Sequence, residues 1–146
     1  MRLYHGTSSY RWSEHPRTNI ERHGLQWPYL TDSIEHAYFF AYTRAQSSNL
    51  LMPEPISDPV VLEVDVDEAE LTADLRPYDV PPELLLQEWS KRLGLKRRMT
   101  ETKWKKLVAD GTIPLPAGPN DWQTSLTVVH AVRYNGQVPP SHIRMV

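Results

Sequence analysis

Cysteine is absent from this chain of 146 residues. That absence removes disulfides, thiolate nucleophiles and cysteine zinc ligands together, so any catalysis must rest on other groups. Long apolar runs are missing as well. No stretch approaches the ~18–20 uninterrupted apolar residues needed to span a bilayer, and the opening Met1-Arg2-Leu3-Tyr4-His5-Gly6 lacks the apolar run of a secretory signal. Together these gaps predict a cytoplasmic protein with no membrane partner. The chain has no glycine-rich phosphate loop ending in Lys-Ser/Thr, no His-Glu-x-x-His and no Gly-x-Ser-x-Gly elbow. Its six histidines are scattered without metal-ligand spacing, so no metal is expected. There is no internal repeat and no low-complexity segment.

What is present fits one compact domain over residues 1–146: 40% of the residues are hydrophobic, enough to bury a core without staples. The net charge of -2 is small but unevenly spread. From Glu54 to Glu88 acids dominate and Arg76 is the only basic residue, whereas Lys91, Arg92, Lys96, Arg97, Arg98, Lys103, Lys105 and Lys106 crowd the next stretch. A solvated helical face accounts for such a run more simply than a polyanion-binding patch does.

Local patterns give the elements. Arg2 to His5 reads as a short strand entering a polar turn, Gly6-Thr7-Ser8-Ser9, whose backbone can approach a ligand closely. Trp27 to Thr31 forms a second extended piece, and Asp32 or Ser33 caps a helix with Ile34, Ala37, Tyr38 and Ala41 on its inner face. A loop is expected from Ser47 to Pro59. Val60, Leu62, Val64 and Val66 then alternate with Val61, Glu63, Asp65 and Asp67, the clearest strand pattern in the chain. Pro81-Pro82 opens one helix and Thr100 caps another, which Gly111 ends; Leu126 to Tyr134 has strand character, and Asn135-Gly136 marks a turn. Strands at both ends with helices between them indicate an α+β domain.

Two segments carry a family resemblance. Leu3-Tyr4-His5-Gly6-Thr7 resembles the first motif of ADP-ribosyltransferases of the diphtheria-toxin and poly(ADP-ribose)-polymerase branch, and Tyr29-Leu30-Thr31-Asp32 with its helix resembles the second. Val132 to Ile143, with Val138-Pro139-Pro140, resembles the closing part of DNA-targeting ADP-ribosyltransferase toxins and of RNA 2'-phosphotransferases. The resemblance implies an ADP-ribosyltransferase-like split mixed sheet with an NAD-binding cleft and a helical insertion. It implies NAD+ as the substrate-cofactor, with His5 on a ribose, the Gly6 backbone on the carboxamide, Thr7 as a further hydroxyl contact, Tyr29 stacked on nicotinamide, and Ala37 and Phe40 on the following helix beside it. The chemistry agrees: NAD+ offers hydroxyls, an amide and a flat cationic ring, and these residue types complement each in turn.

The family's third motif supplies a glutamate that stabilises the oxocarbenium-like centre. Here the matching place falls near Val129, His130 or Ala131, none of them acidic. Gln123 is a substitute able to bond the ribose, Asp121 is the nearest carboxylate, and His130 is either a general base or a structural residue. Glu63 and Asp65 sit on an alternating strand and are expected to face solvent. Without the acid, mono-ADP-ribosylation of a protein, nucleic-acid or small-molecule acceptor is favoured over polymer synthesis. The alternatives are a non-catalytic NAD- or partner-binding module, an NAD glycohydrolase, and an RNA 2'-phosphotransferase, which the Tyr4 before His5 disfavours and Arg133 keeps open.

Overall fold

The structure, a computed structural model, describes residues 1–46 and 54–146. The expected loop from Ser47 therefore lies partly outside the described residues; 54–58 have no regular structure. The chain is a mixed α+β protein that gathers into two compact units, one formed by Met1–Leu71 with Arg133–Val146 and the other by the intervening Thr72–Val132.

In the first unit, β1 (Arg2–Ser8), β4 (Pro59–Asp65) and β8 (Ile143–Met145) make an antiparallel sheet in the order β1-β4-β8. The alternation read in β4 is borne out: Val60, Leu62 and Val64 are buried, while Val61 and Glu63 are half-buried and Asp65 exposed. Their β1 partners on the inner face are Thr7, His5 and Leu3. The first unit also holds α1 (Ile20–His23), whose Asn19 side chain accepts from the Arg22 N–H, and the pair β2 (Leu25–Gln26) with β7 (Gln137–Val138). A third small sheet has the order β3 (Tyr29–Leu30), β6 (Val132–Tyr134), β5 (Leu71–Ala73); in β5 and β6 the chain leaves and re-enters the first unit.

The strand β1 runs three residues past the expected boundary at His5, so Gly6, Thr7 and Ser8 are strand rather than turn. Only after them does the chain coil, into a π-helical turn over Tyr10–Glu14 closed by the His15 N–H donating to the Tyr10 carbonyl at 2.7 Å. Gly6 is needed for packing. A Cβ there would lie 2.1 Å from the carbonyl oxygen of Ala37 and 2.7 Å from the amide nitrogen of Ala41, both in helix α2 (Ile34–Gln46). Such close backbone approach selects small residues on the helix as well. The buried stripe is Ala37, Ala41 and Ala45 with His36, while Ile34 and Tyr38, expected inside, are about half exposed together with Phe40 and Tyr42. Ser33, one of the two expected caps, accepts from the His36 N–H at 3.2 Å.

The second unit contains α3 (Arg76–Asp79), α4 (Glu83–Arg92), α5 (Glu101–Ala109) and α6 (Trp122–Val129). Its core is built on Trp104, Trp89, Tyr78, Leu85, Met99 and Ile113. Both indole N–H groups are satisfied there, Trp89 to the Val128 carbonyl at 2.8 Å and Trp104 to the Tyr78 carbonyl at 2.9 Å. Each such ring contributes about 4–6 kcal/mol of gross transfer energy, before entropy is set against it. Thr100 caps α5 through the Lys103 N–H, and Gly111 follows its end at φ 83°, as the sequence predicts. The span Leu126 to Tyr134 departs from expectation. Asp121 caps a helix there, His130 ends it in the left-handed region at φ 54°, and only Val132–Tyr134 is strand.

Candidate functional site

The residues of the two sequence motifs meet where β1 and β3 part. Tyr4 exchanges both main-chain hydrogen bonds with Thr31, at 2.8 and 2.9 Å, and this isolated bridge is the pairing recorded between the two segments. Continuing the register would set Gly6 opposite Tyr29. Instead the Tyr29 carbonyl lies 2.9 Å from Nδ1 of His5. Because the β1–β4 register is unbroken from Arg2 to Ser8, main-chain directions alternate without a bulge. Gly6 therefore aims its N–H and C=O to the same side as Tyr4, the side of the Thr31 bridge.

This arrangement fixes the chemistry of His5. A carbonyl only accepts, so Nδ1 carries the hydrogen and donates to Tyr29, leaving Nε2 of the neutral ring as an acceptor. Burial holds the His5 pKa below the ordinary value; the Tyr29 hydrogen bond opposes that shift, and the positive charge of Arg44 adds to it. The ring is thus a neutral acceptor at neutral pH, suited to a hydroxyl donor.

Cationic groups are also gathered in the same unit. Arg11, in the π-helical turn, holds Glu54 by a two-pronged pair, Nε to Oε1 at 2.6 Å and Nη2 to Oε2 at 3.1 Å. Arg44 interacts electrostatically with Arg11, with Glu54 and with His5. Ser8 and Ser9 fasten this turn to the sheet end: Ser8 Oγ accepts from the Arg11 N–H, and Ser9 Oγ accepts from the Asp58 N–H.

The remaining sequence candidates are placed as follows. Thr7 and Ala37 are buried, Thr7 on the inner face of β1 and Ala37 against Gly6. Tyr29 and Phe40 are partly exposed, at 38% and 44%. Phe40 packs edge-on against Phe39. Gln123 and His130 belong to the second unit, at the start and the end of α6. His130 Nε2 lies 2.8 Å from Glu88, which also pairs with Arg92. Asp121 is the α6 cap; its carboxylate accepts from the Ala117 and Thr124 amides, and these bonds hold its pKa below the ordinary range. Glu63, expected to face solvent, is instead held between Arg2 and Arg144, of which Arg144 contributes more to lowering its pKa.

The basic stretch is partly neutralised. Arg92 pairs with Glu88 and lies 4.8 Å over the Trp89 ring, Arg98 pairs with Glu83, and Lys105 lies 3.6 Å from Glu101. Its two neighbouring tryptophans, Trp89 and Trp104, are core residues, so neither offers a ring to a ligand. No helix among the described residues is long and apolar enough to cross a membrane.

Sequence reasoning missed one member of the first-unit cluster. Trp27 is 58% exposed in the left-handed region, and the Arg133 guanidinium lies 5.8 Å from its ring and 5.7 Å from that of Tyr29. A tryptophan before Pro28 carries no sequence signal for positive φ. Fold and site together define a mixed α+β protein with a histidine, a glycine backbone and a tyrosine set around a parting of two strands. No family model matches the chain, and neither a curated protein nor a solved structure does.

Proposed function

We propose that the chain is an NAD+-dependent mono-ADP-ribosyltransferase whose dinucleotide lies along the parting of β1 and β3. The observation that carries the reading is the hydrogen bond from His5 Nδ1 to the Tyr29 carbonyl, which joins the two motif segments and leaves Nε2 as an acceptor. On this reading Nε2 takes a ribose hydroxyl, the Gly6 N–H and C=O bond the carboxamide, and the partly exposed Tyr29 and Phe40 rings cover the nicotinamide. The Arg11 and Arg44 guanidiniums are the groups suited to the pyrophosphate.

In the transfer, the bond between nicotinamide nitrogen and ribose C1 breaks and its electron pair leaves with neutral nicotinamide. An acceptor lone pair forms the new bond to C1, and the acceptor's proton passes to solvent. Positioning supplies a large share of such a rate, since well-oriented reactants gain about 7–11 kcal/mol over free encounter. A transition state of oxocarbenium character needs no proton transfer to the leaving group, because nicotinamide departs uncharged. The first unit's Glu54 and Glu63 are both held by arginines, which favours slow transfer and keeps a binding module of the same design as the second reading.

The test is nicotinamide release from NAD+ by the purified protein, followed chromatographically with protein, single-stranded nucleic acid or water as acceptor. Release that falls at least tenfold in His5→Ala supports transfer. NAD+ binding without release under every acceptor supports the binding module instead.

A further inference from the structure

Trp27 combines a positive φ with an exposed side chain. Its φ of 53° is disfavoured for any residue with a Cβ, and its side chain is 58% exposed. Two main-chain bonds hold the turn: the Trp27 N–H donates to the Gly136 carbonyl at 2.8 Å, and the Tyr134 N–H donates to the Pro28 carbonyl at 2.9 Å. Neither bond uses the indole, and glycine would occupy the same backbone without strain. The fold thus presents a large aromatic face to solvent at a position where a side chain is a conformational liability.

What lies beside that face narrows the ligand. Arg133, half-buried on β6, sets its guanidinium 5.8 Å from the Trp27 ring centre and 5.7 Å from that of Tyr29. Two exposed rings around one planar cation complement a flat ring that carries negative charge nearby. A nucleotide unit has that combination, the base for stacking and the phosphate for the guanidinium. An unpaired base offers its face, whereas a base inside a duplex does not.

We propose that Trp27 and Arg133 form a stacking site for an unpaired nucleobase and its phosphate, and that single-stranded nucleic acid is its occupant. The stacking site stands apart from the NAD+ reading in its binding. Only its role as the place where the acceptor base waits beside Tyr29 rests on that reading.

The experiment titrates the whole protein into a fluorescein-labelled single-stranded decamer, as DNA and as RNA, by anisotropy at about 50 and 200 mM salt. A duplex of the same sequence and the corresponding free mononucleotides serve as competitors. Trp27→Gly should weaken binding about tenfold or more, while Trp27→Phe retains most of it and Arg133→Gln both weakens binding and flattens its salt dependence. Trp27→Gly should also melt no lower than the wild type, because the glycine relieves the positive φ. Wild-type NAD+ affinity in Trp27→Gly, set against lost NAD+ affinity in Tyr29→Ala with decamer binding weakened less than in Trp27→Gly, separates this site from the dinucleotide site. Calorimetric binding of a free mononucleotide at millimolar concentration, with no affinity for the decamer, assigns the site to free nucleotides and overturns the strand. Unchanged decamer binding in Trp27→Gly, equal affinity for duplex, or a marked fall in its melting temperature overturns the proposal.

Discussion

Replacing Gly6 with alanine probes the contact on which the first unit turns. The new Cβ would fall 2.1 Å from the Ala37 carbonyl oxygen, and real Cβ atoms essentially never approach within 3.0 Å, so α2 must retreat by about 0.9 Å at the least. The obstructing atoms are helix backbone, which cannot rotate aside as a side chain would. Overpacking typically costs about 1–3 kcal/mol, and a main-chain clash belongs at the upper end of that range. A loss of about 3 kcal/mol in a chain of this size lowers Tm by about 6–12 °C. Scanning calorimetry reads the shift directly. Gly118→Ala is the control, because nothing lies within 4 Å of its added Cβ and its φ is not positive, so its Tm should hold or rise slightly. A Gly6→Ala protein melting within a degree or two of the wild type would refute the close approach of α2 to β1.

Three further outcomes follow from particular bonds. Ser125→Ala removes a fully buried hydroxyl that accepts from the Asp74 N–H at 3.0 Å, and should cost about 1–3 kcal/mol in denaturant unfolding; a loss below about 0.5 kcal/mol would count against the bond. Asp121→Ala removes the α6 cap and should lower Tm at neutral pH. Because those amide bonds depress its pKa, the wild-type advantage should vanish as pH falls through the acid range, so a difference that persists in acid would be contrary. For His5 the native pKa lies below the ordinary 6.5. Between the two values the unfolded chain binds a proton that the native chain does not, so His5 reduces stability as pH falls below about 6.5. His5→Gln should flatten that part of a Tm-against-pH profile, and an unaltered slope would mean the ring is not held neutral.

The sequence carried some elements openly and hid others for identifiable reasons. Val60, Leu62 and Val64 alternate because one face of β4 is buried, and that pattern survives into the structure unchanged. The α2 helix was legible, but its inner face was not. Size was expected to mark burial, yet the close approach at Gly6 turned the helix so that Ala37, Ala41 and Ala45 face inward and Tyr38 outward. In 126–134 the β-branched run Thr127-Val128-Val129 favours strand by propensity, but the Asp121 cap and the burial of Leu126, Val128 and Val129 prevail. The positive φ of Trp27 has no counterpart in residue type, whereas His130 is of a type enriched in the left-handed region. At the candidate site His5 and Tyr29 were legible as motif residues. Their direct hydrogen bond was not, because it depends on β1 and β3 parting after one bridge.

The most direct test of the dinucleotide reading is calorimetric titration of NAD+ into the wild type, His5→Ala and Tyr29→Ala at pH about 7.5, where the native His5 ring is neutral. The account predicts saturable binding by the wild type, weakened about tenfold or more when Nε2 is lost as acceptor or the Tyr29 ring is removed. No heat of binding in the wild type, or equal affinity in all three proteins, would contradict it.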